Sequence, residues 1–248
     1  MNRLEMLKKS NNPILTCYLP GGDPLLLQNQ SEIYVDCGVD VFEVGIPTVD
    51  PFMDGKLVSD SMSRAIKSGV TTEKIANEGR MIRETYDNAA VVMMGYQDIL
   101  FTDLIDEQGN AGFDGFIQVG VDSYDQDRLS HHDVYGIEFI PQKNFEESLE
   151  RAHTALGYVF LQAASGQTGL SQTFDMSNKE RVRCLKEYGV DVPILLGFGI
   201  SNPDQVKMAM DCGADGVVIG SACIAKALEG EKALTDFLKN VRGALDGR

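Results

Sequence analysis

Residues 42–55 read Phe-Glu-Val-Gly-Ile-Pro-Thr-Val-Asp-Pro-Phe-Met-Asp-Gly, a short apolar run that passes into three acids, two prolines and two glycines. The run over 39–44 is rich in β-branched and aromatic residues and reads as a buried strand interrupted near its end by Glu43. A carboxylate in that position must be paired, neutralised or used. An apolar setting raises its pKa toward neutrality, which makes Glu43 a candidate proton-transfer group. Pro47 and Pro51 stiffen the loop that follows, Asp50 and Asp54 are turn formers, and such a loop can carry Asp54 back over the strand end. The plainer alternative gives Glu43 a structural salt bridge and leaves the aspartates to shape turns.

The pattern repeats outward from this stretch. Strands are expected over 14–18, 39–44, 90–94, 115–119, 136–140, 158–161, 192–196 and 216–219, with amphipathic crossover helices over 25–35, 72–86, 98–108, 145–153, 178–188 and 204–212. Residues 121–134 are polar and poorly periodic, the weakest helical segment of the series. Eight strands alternating with helices, without a linker, predict an α/β fold: a TIM (β/α)8 barrel forming a single domain over 1–248. A doubly wound open sheet would carry a GxGxxG turn after its first strand, and the YLPGGDP of 18–24 does not supply one. In a barrel, function belongs on the loops after the strand C-termini, where the unusual residues of this chain fall.

Composition removes several function classes. The net charge of −15 argues against nucleic acid, which needs a basic face. No apolar run approaches the roughly 20 residues that span a bilayer, and the opening MNRLEMLKKSNN lacks a signal-peptide core, so a cytoplasmic protein with no membrane partner is expected. The five cysteines are scattered and lack CxxC spacing, as reduced core fillers do. None of the three histidines pairs with a cysteine or acid at metal-ligand spacing, so no metal site is expected.

Three glycine loops follow the sixth, seventh and eighth strands: Ala164-Ser-Gly-Gln-Thr-Gly169, Gly197-Phe-Gly-Ile-Ser-Asn-Pro203, and Gly220-Ser221 leading into the apolar run over 222–228. Glycine lets backbone amides approach an anion closely, and a helix dipole favours negative charge at its N-terminus. A single such loop is explained by a tight strand-to-helix turn; three in consecutive positions point to a phosphate cradle. Tyr18, at a strand end, suits either stacking on a planar substrate or the core. Met93, Met94 and Tyr96 offer a soft apolar wall that ordinary barrel packing would also explain.

Together, YLPGGDP, FEVGIPxxDPxxDG, SGQTG, GFGIS and the final IGSA resemble the α subunits of tryptophan synthase over nearly the whole chain. The resemblance implies a TIM barrel and retro-aldol cleavage of indole-3-glycerol phosphate to indole and glyceraldehyde 3-phosphate, without metal or organic cofactor. It implies that Glu43 handles the proton delivered to indole C3 and that Asp54 interacts with the indole N–H. Tyr18 and Tyr96 then contact the ring, while Thr168, Gly169, Gly199, Gly220 and Ser221 hold the substrate's phosphate end. It also implies a tryptophan synthase β subunit as partner. The chain departs from the family pattern at four places: Thr48-Val49 in place of Phe-Ser, Asp98 in place of asparagine, Gly120 in place of aspartate, with Asp122 two residues on, and Ala164 in place of arginine. They fall on loops that couple the two subunits in the family, so retained lyase chemistry with altered coupling is expected. The alternatives are a paralogue acting on a related phosphorylated substrate and a phosphate-binding regulatory module without turnover.

Overall fold

Each of the eight expected runs holds a strand in the computed structural model, which describes residues 2–10, 12–121, 125–164, 166, 169 and 174–247. The strands are β1 (Ile14–Pro20), β2 (Val41–Gly45), β3 (Ala90–Tyr96), β4 (Gly115–Val119), β5 (Tyr135–Gly136), β6 (Glu138–Ile140), β7 (Val159–Gln162), β8 (Ile194–Gly197) and β9 (Gly216–Ile219). All pairings are parallel, in the order β5-β4-β3-β2-β1-β9-β8-β7-β6. The two ends of that series, β5 and β6, are consecutive pieces of one run: the expected fifth strand is divided at Ile137, whose amide still donates to the Phe116 carbonyl at 2.9 Å. The first half pairs with β4 and the second with β7, so the sheet comes round on itself as a TIM barrel.

Strand alternation sorts the apolar residues into two layers. Val41, Val92, Met94, Tyr96, Ile117, Val119, Phe160 and Val218 fill the barrel lumen, while Phe42, Val44, Val91, Met93, Leu161 and Ile219 pack against the helices. Glu43 shares parity with Val41, which turns it into the lumen, where it is buried. Parity also corrects the wall expected from β3: Met94 and Tyr96 face inward, but Met93 faces the helical layer.

The helices are α1 (Arg3–Ser10), α2 (Gln30–Asp36), α3 (Lys56–Lys67), α4 (Thr72–Thr85), α5 (Gln126–Ser130), α6 (Leu149–His153), α7 (Asn178–Glu187), α8 (Pro203–Asp211), α9 (Ser221–Glu229) and α10 (Glu231–Leu245). The helix expected over 25–35 is shorter because Asp23 holds a turn, accepting from the Leu25 amide at 3.1 Å. The one expected over 98–108 is only a 3-10 turn, Phe101–Leu104. There Asp103 accepts from the Leu100 amide and Asp106 from the Gln108 and Asn110 amides, and these local bonds compete with helix formation.

Two features leave the site at the strands' carboxyl end. Helix α1 covers the opposite end, with Leu4 in the lumen cluster and Asn2 donating to the Asp114 and Asp133 carbonyls at 2.7 Å. At the functional end, Asp23 of the YLPGGDP turn reaches across to α3, accepting from Ser61 at 2.6 Å and from both Nε and Nη2 of Arg64. That bidentate bond ties the second half of the helix that follows the Asp54 loop to the turn after β1. Among the described residues no helix is long and apolar enough to cross a membrane.

Candidate active site

The carboxyl ends of the strands enclose a pocket of about 660 Å³, counting its solvent-filled mouth. Tyr18, Glu43, Asp54 and Tyr96 line one side; Gly169, Gly199, Gly220 and Ser221 line the other. Between them stand Met94, Ile117, Val119, Phe139, Phe160, Phe198 and Val218, a nearly apolar waist. Eight of the nine expected site residues are thus brought to one cavity. The ninth, Thr168, lies outside the described residues, as does Asp122.

At the acidic side, Glu43 is fully buried and its Oε2 has no hydrogen-bond partner among the described residues. Desolvation, with the negative charge of Asp54 adding to it, pushes its pKa up to about 8. No cation neutralises it, so the salt-bridge alternative for Glu43 has no partner among the described residues. Asp54 is buried as well and accepts a 2.6 Å hydrogen bond from the Tyr96 hydroxyl. Burial, the Asp54 charge and that hydrogen bond hold Tyr96 well above the usual tyrosine range, so it remains a donor. The Tyr18 hydroxyl has no partner among the described residues, and burial and the charges of Asp54 and Glu43 raise its pKa too. Its ring lies over Gly45, where any Cβ would fall 2.0 Å from the hydroxyl oxygen. Only glycine two residues after Glu43 leaves room for this aromatic.

The opposite side is made of backbone. Gly220 directly precedes α9, whose N-terminus no side chain caps, so the first amides and the positive end of the helix dipole stand at the pocket wall. Ser221, buried, adds a hydroxyl there. Helix α8, after the seventh-strand loop, is different: Asn202 caps it, accepting from the Gln205 amide at 3.0 Å, so that loop offers the pocket Gly199 rather than a helix end. Phe198 and Gly199 both hold positive φ, 69° and 87°, a conformation costly for phenylalanine that carries its ring into the waist. The sixth-strand loop is supported from beneath by Gln162, which donates to the Gly166 carbonyl at 3.1 Å, and by Asn178, which donates to that of Ala163 at 2.7 Å.

Phe139, Phe160 and Phe198 form a triangle with ring centroids 5.4, 5.5 and 5.7 Å apart. None was singled out from sequence; the available signal was lumen-facing strand parity for Phe139 and Phe160, and for Phe198 an aromatic set inside a glycine loop. Glu138 gives a useful contrast, because burial pushes its pKa up to about 7 against the pull of Arg151. It alternates with Phe139, so it points to the helical layer and takes no part in the pocket. Among the described residues no group of three or more His, Cys, Asp and Glu side chains could hold a metal ion.

An apolar slot with buried acids at one side and an uncapped helix N-terminus at the other suits a flat, mostly apolar ligand with an anionic tail. The family model described as tryptophan synthase alpha chain matches residues 4–244. The chain belongs to the tryptophan synthase alpha chain family. It is 34% identical over 244 residues to the tryptophan synthase alpha chain of Escherichia fergusonii, covering 90% of this chain and 87% of that one. To the alpha chain of Clostridium beijerinckii it is 26% identical over 259 residues, covering 99% and 100%. Among solved structures, the alpha chain of Legionella pneumophila superposes with a TM-score of 0.81 at 25% identity, covering 100% of this chain and 98% of that one. A chain from a structure of Mycobacterium tuberculosis tryptophan synthase superposes with a TM-score of 0.84 at 23% identity and agrees in fold. As a tryptophan synthase alpha chain, the protein is a lyase of tryptophan biosynthesis.

Proposed function

We propose that the whole chain, as one domain, cleaves indole-3-glycerol phosphate to indole and glyceraldehyde 3-phosphate, with Glu43 as the proton-transfer group and Asp54 as the partner of the ring nitrogen. The observation that carries this reading is the pairing of two buried carboxyls at one side of an apolar slot: Glu43, with no hydrogen-bond partner at Oε2 among the described residues and a pKa raised to about 8, and Asp54, hydrogen-bonded to Tyr96. At neutral pH Glu43 holds its proton and can deliver it to C3 of the indole ring. Protonation there places positive charge on the ring nitrogen, which the Asp54 carboxylate, fixed by Tyr96, stabilises by accepting the N–H. The bond from C3 to the side chain then breaks, its electrons returning to the ring, as the side-chain hydroxyl loses its proton and becomes the aldehyde. The Glu43 carboxylate left by the first transfer is a base of suitable pKa for that last proton. The waist of Phe139, Phe160, Ile117 and Val119 fits the indole, and the amides behind Gly220 with the Ser221 hydroxyl fit the phosphate. Tyr18 borders the ring and Gly169 and Gly199 the phosphate end.

The relatives are alpha chains, and we propose a β subunit as partner, met at the pocket mouth where Val49 and Leu100 are exposed. We place the chain in the cytoplasm, where its free, mostly buried cysteines would stay reduced. Neither a paralogue's substrate nor a module without turnover is favoured, because a binding module has no use for a buried acid of raised pKa. The test is release of indole from indole-3-glycerol phosphate by the isolated protein, repeated with a β subunit. Release in both is expected, with modest stimulation. No release in either would overturn the lyase reading; strong activation by an ordinary β subunit would overturn the altered coupling.

A further inference from the structure

Three of the four departures from the family pattern meet in one place. Thr48 is buried although it sits in a loop, and its hydroxyl donates to Asp98 Oδ2 at 2.7 Å while accepting from the Asp50 amide at 3.3 Å. Thr48 belongs to the loop after β2 that carries Asp54, and Asp98 to the loop after β3 that follows Tyr96. Further along the first loop, Phe52 packs edge-on against Tyr96, ring centroids 5.1 Å apart. The same ring lies against Gly120, after β4, where a Cβ would fall 3.0 Å from Phe52 Cζ on a backbone with φ of +91°. Gly120 is the space that Phe52 fills. Beyond the bond from the Ile46 amide to the Met94 carbonyl at 2.8 Å, the loop between Glu43 and Asp54 is fastened to its neighbours by a hydrogen bond at Thr48 and by an aromatic seated on Tyr96 and Gly120.

We propose that the Thr48–Asp98 hydrogen bond and the Phe52–Gly120 contact form an internal latch that positions Asp54 in the isolated chain, making Thr48, Phe52, Asp98 and Gly120 positioning residues for the reaction. This rests on the role proposed for Asp54. The Asp54 carboxylate bonds to Tyr96, and Tyr96 is the ring on which Phe52 sits, so releasing the loop loosens both ends of the Tyr96–Asp54 contact. A hydrogen bond and a ring contact on a loop stiffened by Pro47 and Pro51 preorganise the carboxylate before substrate arrives. The latch also bears on the departures themselves: a side chain at 120 would displace Phe52, and a carboxylate at 98 offers the Thr48 hydroxyl a charged acceptor, stronger than the amide oxygen of an asparagine.

The experiment uses the full-length protein and the variants Thr48→Val, Thr48→Ser, Phe52→Ala and Gly120→Ala, with Phe52→Leu as a milder second change. Two quantities are read: kcat and KM for indole release, and the titration of the Glu43 carboxyl by carbon-13 NMR in the ligand-free protein. The groups that face Glu43 are Asp54 from the β2 loop and Tyr18 from β1, with Tyr96 of β3 on Asp54. Because the Asp54 charge and the exclusion of water both raise the Glu43 pKa, freeing the loop lowers it. In Thr48→Val and Phe52→Ala, kcat should fall at least about tenfold with KM within about twofold, and the Glu43 titration should move down. Thr48→Ser should restore both, and Gly120→Ala should act like Phe52→Leu. Wild-type titration in Thr48→Val and both Phe52 variants would overturn the latch, even if their turnover fell. Absence of indole from the wild type would sink the lyase reading instead, and the titration would still decide the latch.

Discussion

The two ends of the pocket are built of different material. At the acidic end the groups are side chains on β1, β2, β3 and the loop after β2: Tyr18, Glu43, Tyr96 and Asp54, held by one another and by the packing of Gly45 beneath Tyr18. At the opposite end, where we propose the phosphate binds, they are mainly backbone amides behind Gly199 and Gly220, joined by the Ser221 hydroxyl. Side chains can carry a proton and have their pKa values tuned by burial; amides cannot titrate, but they present a fixed dipole at no cost in net charge. A chain of net charge −15 can thus hold an anionic ligand with no basic residue among the described residues of the pocket lining. The division predicts that damage at the acidic end appears in kcat and damage at the phosphate end in KM.

The largest effect is expected at Glu43. Glu43→Gln keeps the shape and removes the proton, so indole release should drop by about 10²–10⁴-fold with an unchanged fold. A Glu43→Gln enzyme at wild-type rate would break the assignment outright. Asp54→Asn should follow, with kcat reduced by about 10²-fold, since a neutral amide cannot stabilise charge on the ring nitrogen. If KM rose instead while kcat stayed, the acidic end would be a binding end and the contrast would fail. Ser221→Ala tests the other side. It removes a single hydrogen bond to a charged group, and KM should rise about tenfold at constant kcat. A loss confined to kcat would show that the two ends are not separable.

The same division governs what the sequence discloses. Eight strands were legible because buried parallel strands are short runs of β-branched and aromatic residues, and the glycine loops and the acids of 42–55 stood out against them. The break at Ile137 was not legible, because 136–140 reads as one continuous strand pattern around Glu138 and nothing in it marks where pairing passes from β4 to β7. The expected helix over 98–108 failed where Asp103 and Asp106 bond their own backbone, a competition that hydrophobic periodicity does not register. Within the site, Glu43 was visible as an acid in an apolar run. Phe139, Phe160 and Phe198 were not, since aromatics in strands and turns look like core until the barrel says which face is the lumen. The cap on α8 and its lack on α9 separated two glycine loops that read alike.

The smallest effect sharpens the comparison most, because it needs no substrate. The Glu43 pKa is about 8 in the folded protein against an ordinary 4.5, so the native state keeps a proton that the unfolded chain gives up. For a raised pKa, this group's contribution is complete below the unfolded value and is lost as pH climbs through the folded one. Between about pH 4.5 and pH 8 wild-type stability therefore declines on account of this residue, at a limit of about 1.4 kcal/mol per pH unit. Glutamine does not titrate, so Glu43→Gln should gain on the wild type across this window, its relative Tm rising by several degrees from pH 5 to pH 8 and levelling off above it. Asp54→Asn should reproduce part of that gain by removing the charge that adds to burial in raising the Glu43 pKa. Ser221→Ala should show none, because nothing at the backbone end titrates there. A Tm difference for Glu43→Gln that stays flat with pH would mean that Glu43 is already ionised at neutrality, and the acid that starts the reaction would have to be sought elsewhere.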